Sequence, residues 1–139
     1  MPQSNNSELT EVRAVETGGD VQSNQPNADN KAPTYDVLLE AVAGDPLGDS
    51  GAGYTLRIDC IDENLAQRNA QLSIGPLTQS WSAPTWVKIG DDFKTEQRFT
   101  LNVPAGVEGH MFRYVATLVG DNDDVTSFVE SDPFLLVDP

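Results

Sequence analysis

A few side chains in this sequence belong to types that carry out chemistry. Ser50 stands in the run Gly48-Asp49-Ser50-Gly51, and His110 is the one histidine of the chain. A serine nucleophile needs a histidine base that a buried carboxylate orients. His110 lies far downstream in a glycine-containing corner, which is typical of a surface turn residue, and the run 48–51 is typical of a turn between strands. The sequence therefore predicts no catalytic residue and no enzyme.

The acidic run Asp121-Asn122-Asp123-Asp124 carries the oxygen ligands that Ca²⁺ prefers. A full EF-hand loop also needs spaced ligands, a central glycine and a final glutamate, and these do not follow here. Asn and Asp also favour tight hairpin turns. One cysteine, Cys60, and one histidine do not make a typical zinc site. We expect no metal and no cofactor, and whether the acidic turn binds a cation stays open.

Two tryptophans, Trp81 and Trp86, flank a proline in the stretch SWSAPTWVK. Two indole rings on one surface form a platform on which sugar rings stack. The same residues are equally suited to filling a core or an interface. We favour the core or interface interpretation and keep glycan binding as the alternative.

Composition excludes several classes of function. The chain has 139 residues and a formal net charge of −14. Nucleic-acid binding draws its affinity from Lys and Arg on phosphates, and an anionic membrane surface repels the same charge, so we expect neither partner. A single cysteine forms no disulfide within the chain. No secretory signal and no apolar run of about 18 residues is visible, so the localisation stays unknown.

Strict alternation identifies the strands. Residues 97–119 read as two strands joined by a Pro/Gly corner, and every second residue of each is apolar. The predicted inward residues are Phe99, Leu101, Val103, Phe112, Tyr114, Ala116 and Leu118. Across residues 34–139, short strands and turn signals recur every 8–12 residues. The sequence predicts an all-β, antiparallel sandwich of about 7–8 strands over residues 34–139.

Residues 1–33 differ from the remainder in being polar and free of aromatic residues. Such a segment buries too little apolar surface to offset its ordering entropy. We expect a flexible arm, disordered or extended, that becomes ordered on a partner. Leu9, Val12 and Val15 have the spacing of a weak helical stripe and are the predicted contact residues of the arm.

The motif RFTLNVP, the Gly/Pro corner and Tyr114 near the start of the next strand resemble immunoglobulin-like and fibronectin-III-like domains. The resemblance covers residues 34–139 and is architectural. It implies that the Tyr114 hydroxyl bonds back to the preceding turn as a tyrosine corner. It implies no chemistry, because such sandwiches carry many unrelated functions.

Together these observations favour a non-enzymatic structural or interaction module. The pattern looks similar to phage capsid accessory proteins, so the expected role is a decoration or cement-like subunit of a larger assembly such as a virion. The expected partner is either another protein or a sister subunit, contacted through residues 1–33, and a sister subunit would make the protein a homo-oligomer. The alternative is a carbohydrate-binding or adhesion module that takes a glycan on Trp81 and Trp86.

Overall fold

The computed structural model describes residues 7–82, 84–121 and 125–139. Two short helices, a 3-10 turn at Asp29–Lys31 and α1 at Asp45–Ser50, accompany the strands. The strands are β1 (Ser7–Val15), β2 (Thr34–Gly44), β3 (Gly53–Asp62), β4 (Gln67–Ser80), β5 (Val87–Ile89), β6 (Asp92–Asn102), β7 (Met111–Gly120), β8 (Thr126–Glu130) and β9 (Phe134–Leu135).

The strands form two antiparallel sheets that pack face to face. Sheet 1 has the order β1-β2-β6-β5, and sheet 2 has the order β4-β3-β7-β8, with β9 paired to β7. Taken in chain order as strands A, B, C, C′, D, E, F and G, these are the ABED and C′CFG sheets of an immunoglobulin-like domain. The predicted all-β, immunoglobulin-like sandwich is confirmed.

The residues predicted to point inward from the alternation of β6 and β7 form much of the core. Leu101 and Val103 of sheet 1 and Phe112, Tyr114 and Leu118 of sheet 2 are buried as expected. They join one apolar cluster between the sheets, which Phe99 packs against from its edge. Because successive strand residues point to opposite faces, the intervening residues of β6 and β7 lie on the two outer surfaces.

The N-terminal segment is part of the sandwich, and this corrects the predicted division between a flexible arm at 1–33 and a domain at 34–139. Residues 7–15 form β1, which pairs antiparallel with β2 along its whole length. Leu9, Val12 and Val15 are 6%, 2% and 0% exposed. The pairing register shifts between Leu9 and Glu11, so the apolar spacing imitates a helix while the backbone is a strand with a bulge.

Hydrogen bonds tie the chain that follows β1 to the outer surface of sheet 1. The buried Asp36 carboxylate accepts a hydrogen bond from Gly18 N at 2.9 Å and another from Arg98 at 2.6 Å. Arg98 also donates to the Gly19 carbonyl and to Asp20, each at 2.8 Å. Burial raises the pKa of Asp36, but these donors outweigh it, and the pKa lies below its ordinary value. Residues 16–20 are therefore fixed to the sheet.

The run 48–51, predicted as a turn between strands, is largely part of a short helix. Residues 45–50 form α1, which Gly51 ends in a left-handed conformation, and Gly48 lies so close to Phe93 that an added Cβ would be 2.1 Å from the ring. β4 continues through Gly75-Pro76. No helix among the described residues is long and apolar enough to cross a membrane.

The predicted tyrosine corner is wrong. The Tyr114 hydroxyl lies 2.5 Å from the Tyr35 hydroxyl and donates to the Leu72 carbonyl at 2.8 Å. Tyr35 is on β2 of the opposite sheet and Leu72 is on β4 of the same sheet as Tyr114, so neither bond returns to the β6–β7 connection. The alternation of β7 directs this side chain inward, and burial raises the pKa of Tyr114 well above its ordinary value.

Candidate interaction surfaces

Both tryptophans lie in the core, as the favoured interpretation predicted. Trp81 and Trp86 are 2% and 1% exposed, and both pack against Tyr54, with ring centroids 4.8 and 6.0 Å from it. Each indole N–H has an internal acceptor: Trp81 donates to Ser7 Oγ at 3.0 Å and Trp86 to the Tyr54 hydroxyl at 2.8 Å. Neither ring offers a face to solvent, so the predicted glycan platform at Trp81 and Trp86 is absent from this fold.

His110 takes part in a structural clamp. Its Nδ1 lies 2.7 Å from Oδ2 of Asp62, a carboxylate that is 4% exposed. The same carboxylate accepts the backbone N–H groups of Asn64 and Leu65 at 3.0 and 3.1 Å. Burial raises the pKa of Asp62, but the hydrogen bond from His110 and these amides lower it below its ordinary value. The pair holds the β3–β4 turn against the chain that enters β7.

The remaining candidate groups show no constellation that performs chemistry. Ser50 Oγ donates to the Leu47 carbonyl at 2.9 Å within α1. Cys60 is buried, and burial, with Asp62 nearby, raises its pKa to about 12. Over the described part of the chain, no three His, Cys, Asp or Glu residues gather in a way that would hold a metal. Asn122–Asp124 lie outside the described residues, so the cation question there stays a prediction.

The outer surface of sheet 2 carries the most exposed large apolar side chain of any strand, Phe128, at 71%. We call its central part the Phe128 face. It comprises three transverse rows across β3, β7 and β8. The rows are Thr55–Val119–Thr126, Arg57–Thr117–Phe128 and Asp59–Val115–Glu130. Val119 is 37% exposed, and Thr55, Thr117 and Val119 border a shallow depression beside Phe128.

The charges on and around this face nearly balance. Arg68 bonds to Asp59 at 2.7 Å, and Arg57 lies 3.7 Å from the same carboxylate. Arg113 bonds to Glu130 at 2.5 Å and also to Glu63. Three arginines therefore offset three carboxylates here, and Asp121, which also lines the depression, adds one negative charge. Most of the formal charge of −14 therefore lies elsewhere on the chain.

A second apolar surface lies on the outer side of sheet 1, at its edge. Val87 and Ile89 of β5 are 59% and 55% exposed, and they share a face because they are two residues apart. Val42 of β2 and Val87 of β5 both pair with Lys94 of β6, so the three strands form one row. We call Val42, Val87 and Ile89 the β5 patch. They border a groove whose other walls include Glu40 and Glu96.

The sequence reasoning missed both surfaces. Phe128 stands in the polar phase of VTSFVES, and Val87 and Ile89 occupy alternate positions of the short WVKIG run. Large apolar residues in the outward phase of an alternating strand are the signal that would have found them. No protein-family model matches this chain, and no curated protein matches it significantly. We therefore infer the function from these two surfaces.

Proposed function

We propose that this chain is a non-enzymatic interaction module that serves as an accessory subunit of a larger protein assembly such as a virion. One observation carries the proposal: large apolar side chains are exposed on both outer surfaces of the sandwich, with Phe128 on one and Val87 and Ile89 on the other. Contiguous exposed apolar surface on a folded domain marks interaction sites. A free binding module needs one such surface, whereas a subunit inside an assembly has neighbours on more than one side.

The interior supports the same proposal. The two largest aromatic side chains, Trp81 and Trp86, serve the core, and the clamp between His110 and Asp62 serves a turn. The exposed apolar residues, by contrast, have no evident role in stabilising the isolated domain. Residues 7–15 pair with β2 in sheet 1. We therefore assign docking to the two outer surfaces instead of the N-terminal arm that the sequence predicted.

The β5 patch is the surface we assign to the assembly. It sits on an edge strand of three residues, and edge strands that expose apolar side chains pair readily with other chains. Ile89→Glu places a charge in the patch without touching the core, because Ile89 is more than half exposed. Val21→Glu is the matched control, since Val21 is 84% exposed on the connection after β1 and lies in neither surface.

The test is co-sedimentation. Tagged versions of the wild-type chain, Ile89→Glu and Val21→Glu are expressed in the source cells, and particles are separated from free protein on a density gradient. We expect the wild type and Val21→Glu to sediment with large particles and Ile89→Glu to remain at the top. A wild-type chain that stays entirely at the top, under conditions in which it is produced naturally, would contradict the proposed function.

A further inference from the structure

We propose that the Phe128 face binds a second copy of this chain, so that two sandwiches pair through their sheets 2. The inference rests on the proposed function and names the partner of one of its two surfaces. The occupant follows from the geometry of the rows and from the distribution of charge.

The rows are self-complementary about a two-fold axis. Sheets that pack face to face keep their strands roughly aligned, and a two-fold axis along β7 superposes β7 of one copy on β7 of the other. This operation exchanges the β3 and β8 sides of the face. Phe128 then lies over Arg57 of the second copy, and Arg57 lies over the second copy's Phe128, because both share a row with Thr117. Such a mutual contact is the mark of an isologous interface.

The Arg57 side chain is suited to that contact. It is 48% exposed, and its distance of 3.7 Å from Asp59 exceeds that of a hydrogen bond. Arg68 takes the same carboxylate at 2.7 Å. The guanidinium of Arg57 is therefore placed to cover an aromatic face, which is where Arg and Phe interact favourably. Aromatic and arginine side chains are also the residues most enriched at the centre of protein interfaces.

Each outward residue of β7 along the axis contacts the same residue of the second copy. Val115, Thr117 and Val119 of β7 meet the same residues of the second copy, so the middle of the interface contains only apolar side chains and a hydroxyl. At one end, Asp59 approaches Glu130 of the second copy. Each of these carboxylates already has an arginine partner within its own chain, which reduces the repulsion between them.

Charge selects this face over the others for self-association. Two chains that each carry −14 repel each other wherever their acidic surfaces meet. The charges on the Phe128 face nearly balance, with Asp121 as the one additional carboxylate at its border, so two copies approach there at a low electrostatic cost. The repulsion between the remaining surfaces also makes the dimer sensitive to salt, because screening weakens long-range repulsion more than it weakens the buried contacts. We expect dimerisation to strengthen as ionic strength rises.

The first test is sedimentation equilibrium of the full chain from about 1 to 100 μM, a range that brackets micromolar affinities, at low and high salt. We expect a monomer–dimer equilibrium. Phe128→Ser should raise the Kd at least about 100-fold, because the dimer buries two copies of the ring. Arg57→Gln should raise it about 5- to 30-fold through loss of two cation–π contacts. Val21→Ser, the control, should leave it unchanged.

Folding is checked separately. Phe128 and Arg57 are exposed in the single chain, so both variants should keep the thermal midpoint that the wild type shows at a concentration where it is monomeric. A wild-type chain that remains monomeric at 100 μM and high salt would overturn the inference. A dimer that persists in Phe128→Ser would overturn it as well, since it would show that another surface pairs.

A cross-link locates the axis. Face-to-face sheets lie about 10 Å apart, so Thr117→Cys should form a covalent dimer with a bis-maleimide of that span. Val21→Cys is the control and should not. Cys60 is fully buried and should not compete. Absence of the Thr117→Cys cross-link in a sample that is otherwise dimeric would show that the axis does not run along β7.

The proposed dimer and the proposed assembly role can be refuted separately. Loss of dimerisation in every condition, with particle sedimentation intact, would leave the assembly role standing and give the Phe128 face to a different protein. A dimer that behaves as expected, in a chain that never enters particles, would contradict the proposed function and keep the self-association. The variants at Ile89 and Phe128 report on the two claims separately.

Discussion

The integration of β1 into the sandwich makes a sharp prediction at Leu9. This side chain is 6% exposed and belongs to the central apolar cluster. Leu→Ala changes at packed sites remove about 2–5 kcal/mol, and a domain of this size has roughly 5–15 kcal/mol in total. We therefore expect Leu9→Ala to remove a substantial fraction of the free energy of unfolding. A flexible arm at the same position would contribute nothing.

The measurement is urea unfolding followed by tryptophan fluorescence. Trp81 is a direct reporter, because its indole donates to Ser7 Oγ at the start of β1. With a urea slope of about 1–3 kcal/mol per M, a loss of about 3 kcal/mol moves the midpoint down by about 1–3 M. Glu8→Ala is the matched control, because Glu8 is the exposed neighbour of Leu9 on the same strand, and surface changes stay within about 0.5 kcal/mol.

The comparison between the two variants decides the matter. If Leu9→Ala unfolds at the same urea concentration as Glu8→Ala, β1 does not contribute to the core, and the assignment of residues 7–15 to sheet 1 is refuted. If Leu9→Ala alone shifts the midpoint, the N-terminal strand is an integral part of the domain.

Three further predictions follow from the interior. Tyr114→Phe should lower the free energy of unfolding by about 1–3 kcal/mol in a urea melt, because it leaves the buried Tyr35 hydroxyl and Leu72 carbonyl without this hydrogen-bond partner. Tyr35→Phe should lower it less, because Tyr114 keeps its bond to the Leu72 carbonyl. Asp36 and Asp62 have pKa values below their ordinary value when folded, so their contribution to stability is complete above the unfolded pKa of about 4 and is lost as the pH falls through the folded pKa. Wild type should therefore lose stability as the pH falls below about 4 in acid titrations, and Asp36→Asn should lose less. Cys60 should react with a thiol reagent at neutral pH only at the rate of unfolding, because it is buried and burial raises its pKa to about 12; rapid reaction in the absence of urea would contradict this.

The sequence predicted the sandwich because its central strands alternate strictly. Leu101 and Leu118 sit where period-two alternation places them, and no local feature competes with that signal. The segment at residues 7–15 was predicted wrongly because the bulge after Leu9 changes the spacing of its apolar residues from two to three. A polar composition then favoured an arm, although the strand obtains its burial from β2 and from the opposite sheet, which composition does not reveal.

The candidate surfaces were less accessible to sequence reasoning. Trp81 and Trp86 were candidates for a glycan platform because they are aromatic and close in sequence, but tertiary packing buries both. Phe128 was missed because it is a single large apolar residue at a polar position of a short alternating strand, which is a weaker signal than a pair of tryptophans. Likewise, the row that joins Arg57 to Phe128 arises from the registers of two strand pairs, and register depends on the whole sheet.

The most direct measurement of the central claim is hydroxyl-radical footprinting of the chain in its native particle and of the purified chain at low concentration. If both outer surfaces are covered in the assembly, oxidation of Phe128 and Ile89 should fall severalfold in the particle, while Val21, which is 84% exposed, should be oxidised equally in both samples. Equal oxidation of Phe128 and Ile89 in the two samples would contradict the claim that these surfaces are where the molecule meets its neighbours.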